Sequence, residues 1–235
     1  ANAKNISFNL QWNDGKPYFT LIDDGKGMSK EELIESFKLG SRNPKDSRDP
    51  SDLGRFGCGM KTASLSQSKA FIVVTKSKDG EFQKRCLDLE FIASQNGAWK
   101  LRYAENHEIF DVDKEIKESG TALIWNSWDK CPMVKDDFNS LSENIKNYVS
   151  VCFHKFLESG IIINCNGRSI IPFSPIPKIE YGAQHASTRN LSKNKKVKLD
   201  AYVIQHPSNW EDNYEESINF NSFKLFNGFE SQQGI

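Results

Sequence analysis

Between positions 41 and 59 this sequence places Ser41, Asn43, Pro44, Pro50, Gly54, Gly57 and Gly59 among many charged residues, a density of breakers that neither a helix nor a central strand tolerates. Whatever fold the chain adopts must suspend these nineteen residues between ordered elements. Inside a compact domain a loop of that length is characteristic of a functional loop or lid.

The flanking residues read as an α/β domain. Ile6, Phe8 and Leu10 alternate with polar residues as a strand, Asn13-Asp14-Gly15-Lys16 turns the chain, and residues 18–22 return as a second strand. After the Asp23-Asp24-Gly25-Lys26-Gly27 loop, Ser29 and Glu32 form a capping box, and Leu33, Ile34 and Phe37 supply the apolar stripe of a helix ending at Gly40. Met60 opens one or two helical turns. Residues 70–76 and 82–92 are expected to pair around Asp79-Gly80, with further strands at 98–103 and 122–125. Apolar residues at three- and four-residue intervals predict the longest helix over 136–158, closed by Gly160 and covering one sheet face. A hairpin turning at Asn166-Gly167 follows, then a Pro-rich linker. We therefore expect one domain over 1–172 and an incomplete second segment over 173–235, with a strand at 195–205.

Composition excludes several classes. The 31 Lys and Arg balance the 31 Asp and Glu, so no whole-chain field draws it to nucleic acid or a membrane. Hydrophobic residues make up 37% and charged residues 26%, a globular balance, and no run approaches the roughly 18 apolar residues of a membrane helix. Cys58, Cys86, Cys131, Cys152 and Cys165 are odd in number and lack a C-x-x-C pair, which points to a reducing, cytoplasmic setting. With neither an initiating Met nor a leader, the sequence reads as part of a longer protein.

The chemistry concentrates in two glycine loops, Asp23-Asp24-Gly25-Lys26-Gly27-Met28 and Gly54-Arg55-Phe56-Gly57-Cys58-Gly59-Met60-Lys61-Thr62. Glycine admits the backbone angles that turn successive N–H groups toward one anion, and a helix starting at Met60 adds its positive end, so phosphate is the natural guest. The second loop misses the P-loop pattern because Met60 separates Gly59 from Lys61, turning a helical lysine about 100° off target. Its glycine order is not that of a dinucleotide fold either.

Asp23, Gly25 and Gly27 after a strand, then a lid, then Gly57 and Gly59 at a helix start, then Gly120-Thr121 leading a strand: this set resembles the Bergerat-fold, or GHKL, ATPases. The stretch from Gly54 to Ser64 is similar to MORC-like and prokaryotic heat-shock-chaperone-like members, and the helix over 136–158 with the hairpin at Asn166-Gly167 resembles the end of the domain in the MutL and MORC branches. The resemblance implies a two-layer α/β sandwich with a mixed, mainly antiparallel sheet covered by helices on one face, and the start of a transducer-like domain. It implies that Asp23 accepts from the adenine amine, that Gly25 and Gly27 let the backbone approach, and that Met28 packs on the ring. Gly54, Arg55, Phe56, Gly57, Cys58, Gly59 and Met60 would surround the phosphates, with Lys61 as a stabilising cation and Thr121 at the adenine end.

ATP with Mg2+ is thus the expected ligand. The resemblance puts the general-base Glu and the magnesium Asn upstream of residue 1, leaving Asn2 as the nearest candidate metal ligand within the chain. It further implies a nucleotide-dependent homodimer acting as a clamp on a DNA or protein client, with no membrane role. A histidine-kinase catalytic domain and a non-hydrolysing ATP-responsive module are the alternatives. His107, His154, His185 and His206 have no metal-like spacing. The stretch from Ser187 to Leu199, basic and without an acid, reads as a solvated loop in preference to a DNA- or partner-binding patch, and the five Trp as core or interface bulk.

Overall fold

The computed structural model describes residues 2–40, 56–132, 134–174, 184–190 and 198–203. The chain divides into two compact units, Ala1–Glu143 with Phe156–Ile170, and Asn144–Lys155 with Ile171–Ile235.

The first unit is built on a seven-stranded sheet. Its strands are β1 (Asn5–Gln11), β2 (Tyr18–Asp23), β3 (Ala70–Lys76), β4 (Gln83–Asp88), β5 (Gly120–Trp125), β6 (Ile162–Cys165) and β7 (Arg168–Ser169), in the order β4-β3-β5-β2-β1-β6-β7. Every pair is antiparallel except β1 with β6. The expected mixed, mainly antiparallel sheet is therefore what forms.

β3 explains the layering. Its residues from Ala70 to Thr75 are all buried, so both faces of this strand are covered and its apolar run is continuous rather than alternating. On one face Phe71, Val73 and Leu87 pack with Leu33 and Phe37, joined by Met60, Leu65 and Ile92. These partners come from α1 (Lys30–Ser36), α2 (Gly59–Gln67) and α3 (Leu89–Ser94), the helical layer. The opposite face is not bare: Ile72, Val74, Cys86, Ala122 and Ile124 meet Ile109, Val112 and Ile116, the last two in and just after the short helix α4 (Val112–Glu115).

Local signals account for several elements. Ser29 Oγ accepts from Glu32 N–H (3.2 Å) while Glu32 Oε2 accepts from Ser29 N–H (2.8 Å), the capping box that starts α1. Asn166 and Gly167 take φ of +47° and +76° in the β6–β7 hairpin, and Asn166 Oδ1 accepts from Leu10 N–H at 2.8 Å.

Elsewhere the structure departs from expectation. The strand expected over 82–92 ends at Asp88, whose carboxylate accepts from Glu90 and Phe91 N–H (2.9 and 3.1 Å) and caps α3. Residues 98–103 form no strand but a single bridge between Cys86 and Arg102. The long helix is two, α5 (Lys135–Cys152) and α6 (His154–Glu158). His154 Nδ1 lies 2.7 Å from the Val151 carbonyl, the acceptor an unbroken helix would use for its next turn. α1 stops at Ser36, short of Gly40.

In the second unit, β8 (Gln184–Asn190) pairs antiparallel with β9 (Lys198–Val203). β9 falls within the strand expected at 195–205. β8 was not anticipated, since its polar sequence carries no apolar alternation, and it takes up part of the run expected to be a solvated loop. The Pro-rich linker from residue 175 onward lies outside the described residues.

Candidate functional site

Three strands end together. Register pairs Asp23 on β2 with Thr121 on β5, and Thr121 with Thr75 on β3, so the three side chains stand in one row on the face that carries Phe71 and Val73. Asp23 is half-buried, and desolvation lifts its carboxyl above the ordinary value against the pull of the Gly25 N–H, which donates to Oδ1 at 2.8 Å. Its neighbour Asp24 behaves oppositely. Desolvation is the largest single influence there too and raises its carboxyl, but hydrogen bonds from the Asn5 side chain and from Asn5 and Lys4 N–H together outweigh it and hold the carboxyl below the ordinary value.

Sequence reasoning missed Thr75, the hub of this row. Its Oγ1 accepts from Met28 N–H (3.0 Å), donates to the Gly120 carbonyl (2.9 Å) and lies 3.0 Å from Thr121 Oγ1, with no exposed surface. The signal in the sequence is one hydroxyl at the end of an apolar strand. Gly27 makes the neighbouring turn feasible: φ is +65°, and a Cβ there would lie 1.8 Å from the Lys76 carbonyl oxygen.

The second glycine loop lies at the same end of the sheet, because α2 and β3 run antiparallel across a two-residue connection. Met28 and Met60, one from each loop, pack on the same apolar cluster. Gly57 has φ +63°. No side chain caps α2, whose N-cap is Cys58, and a Cβ at Gly59 would meet nothing within 4 Å. Phe56 is exposed, whereas Gly54, Arg55 and the lid over 41–55 lie outside the described residues.

Lys61, expected as a stabilising cation beside the phosphates, is turned inward. It is 1% exposed, and its Nζ donates to the carbonyls of Ser36 and Gly57. Desolvation lowers its pKa. The ammonium braces the loop against the end of α1.

Other candidates stay apart. Asn2 is exposed with φ +57°, and among the described residues no three His, Cys, Asp or Glu side chains are grouped to hold a metal. A cavity of about 510 Å3 borders Asp23 and Asp24 from the opposite sheet face, lined by Ser7, Ile22, Ile116 and Asn164 and by none of the described glycines of the two loops. Trp12, Trp125 and Trp128 join Phe19 and Phe138 in an aromatic cluster, the core bulk expected of them. Among the described residues no helix is long and apolar enough to cross a membrane.

No curated protein matches the sequence. Among solved structures, the ATPase region of Saccharomyces cerevisiae topoisomerase II is similar at a TM-score of 0.45 and 17% identity, over 72% of this chain and 43% of that one. The same region bound to ICRF-187 (dexrazoxane) gives 0.44 and 16% over the same shares. The chain thus spans less than half the length of these structures. The family model of histidine kinase-, DNA gyrase B- and HSP90-like ATPases matches residues 1–121, from before β1 to Thr121 in the row beside Asp23. The chain belongs to that family, the GHKL ATPases.

Proposed function

We propose that the chain is the nucleotide-binding part of a magnesium-dependent ATPase that works as an ATP-gated clamp on DNA or protein. The observation that carries this reading is the row of Asp23, Thr121 and Thr75 at the same sheet end as the uncapped start of α2. A carboxylate whose Oδ1 is already taken by the Gly25 N–H turns its other oxygen to a donor, and the exocyclic amine is adenine's strong donor. Gly25 and Gly27 let the backbone approach the base, and Met28 supplies an apolar surface for the ring.

The open space at Gly59 and the positive end of α2 suit the phosphates, with amides of residues 54–60 as donors. Hydrolysis is attack by water on the γ-phosphorus, and the contribution of this chain is to position the phosphates and stabilise the charge that builds on them. Lys61 serves by holding Gly57 in place. Magnesium, when bound, neutralises phosphate charge. The grouping of acidic and histidine side chains in the described residues does not suit a metal, so no residue here is given that role.

Residues 41–59 act as the lid that ATP orders, and lid closure creates the surface for a nucleotide-dependent homodimer. The boundary near residue 172 separates this ATP-binding domain from the start of a transducer-like segment. With its five cysteines free of disulfides, the chain suits the cytoplasm. Calorimetry with ATP and GTP, followed by sedimentation with a non-hydrolysable ATP analogue, tests the reading. ATP should bind well and GTP poorly, and the analogue should shift the monomer to a dimer. Equal affinity for the two nucleotides would refute the adenine assignment.

A further inference from the structure

We propose that Thr75 determines base specificity by fixing the direction of the Thr121 hydroxyl, so that the row beside Asp23 offers only acceptors. The proposal rests on the adenine-nucleotide reading above and adds to it a residue that touches no base.

Thr75 Oγ1 has one proton and two lone pairs. Met28 N–H, at 3.0 Å, can only donate and takes one lone pair. The Gly120 carbonyl, at 2.9 Å, can only accept and takes the proton. What remains for Thr121 Oγ1, 3.0 Å away, is the second lone pair of Thr75, so Thr121 must donate. Full burial of Thr75 keeps water from offering it another arrangement. Thr121 is left with its own lone pairs, next in register to a carboxylate. Two neighbouring acceptors complement an amino group with two hydrogens. A ring carbonyl in its place, as in hypoxanthine or guanine, would face oxygen lone pairs with no donor to meet it.

The experiment compares ATP with inosine triphosphate, which replaces the amine by a carbonyl, by calorimetry on the whole chain. Thr75→Val keeps the shape but removes the hydroxyl, freeing Thr121 to donate. The ATP-to-ITP affinity ratio should fall about tenfold, mainly by improved ITP binding, while Thr75→Ser restores it. In a Thr121→Val background the Thr75 change should leave the ratio where it is. If Thr75→Val does not fold, Thr75→Cys, with its weak thiol donor and acceptor, should lower the ratio in the same direction. A wild-type chain that prefers ATP, with a Thr75 variant that keeps the full preference, overturns this inference and spares the adenine reading. A wild-type chain that binds both nucleotides equally overturns both.

Discussion

The Lys61 ammonium donates to the main-chain carbonyl of Ser36, 25 residues earlier in the sequence, and to that of Gly57 in the same glycine loop. A charge buried this deeply is unfavourable unless its donors are used. Here they cross-link the end of α1 to the entrance of α2. The Gly57 carbonyl stands one residue before Cys58, whose carbonyl receives the Thr62 N–H, so the side chain reaches back to the very start of its own helix.

Lys61→Met should therefore fold but loosen the loop. Removing the buried charge relieves its desolvation, while the hydrogen bonds from the ammonium to the Ser36 and Gly57 carbonyls are lost, at about 1 to 3 kcal/mol in all. Net stability should move by no more than about 2 kcal/mol in either direction. Amide exchange at residues 57–60 should accelerate and ATP affinity should drop at least tenfold. A variant with unchanged exchange there would show that the brace is dispensable.

Asp23 links nucleotide binding to pH. Burial raises its pKa in the folded chain, so ionisation costs the nucleotide-free fold stability, a cost present above that raised value and relieved as pH falls through it. Adenine needs the ionised form as acceptor. ATP affinity should accordingly weaken on acidification, starting at a higher pH than for an ordinary aspartate. Asp23→Asn should lose about 1 to 3 kcal/mol of binding at neutral pH and show no such pH dependence. Parallel binding curves for the two proteins across the acidic range would remove Asp23 from the site.

Features decided by neighbours in sequence were legible in it, and features decided by distant partners were not. The β1–β2 alternation, the Ser29–Glu32 capping box and the Asn166-Gly167 turn are short-range, and each formed where expected. Asp88 illustrates the opposite case. The apolar Leu89, Phe91 and Ile92 read as a continuation of the strand before them, but the Asp88 carboxylate caps the segment as a helix and Ile92 packs on the α1 and α2 side of the sheet. In the candidate site the two glycine loops could be picked out by their residues, and Asp23 by the resemblance that their order carries. Thr75 could not, because its meaning lies in Gly120 and Thr121, 45 and 46 residues on.

Arg102 should matter for stability rather than for binding. Its guanidinium donates to both Glu108 oxygens (2.7 and 2.6 Å) and to Asp88 (3.2 Å), pinning residues 98–108 to the end of β4. The Arg102 hydrogen bonds hold Glu108 below the ordinary carboxyl value. That contribution is complete above the ordinary value and disappears as pH falls through the depressed one. Arg102→Leu should cost about 1 to 3 kcal/mol at neutral pH and flatten this acid dependence. Urea melts over a pH series measure both, and ATP affinity at neutral pH should be unchanged.

Two glycines should fail in opposite ways. A side chain at Gly59 projects into open space, so Gly59→Val should fold with its stability changed by no more than about 0.5 kcal/mol, since valine is no worse than glycine in a helix. The same open space is where the phosphates are proposed to sit, and ATP binding should vanish. At Gly27 the situation reverses. Even Gly27→Ala forces a Cβ onto the Lys76 carbonyl from a left-handed backbone, so the loop must leave β3, taking with it the Met28 N–H bond to Thr75. A cost above about 3 kcal/mol is expected, with binding lost only as a consequence of unfolding. Thermal melts and calorimetry on both variants separate the cases. A Gly59→Val chain that melts normally and still binds ATP would move the phosphates away from α2, and a Gly27→Ala chain of normal stability would mean that the loop does not rest on β3 as described.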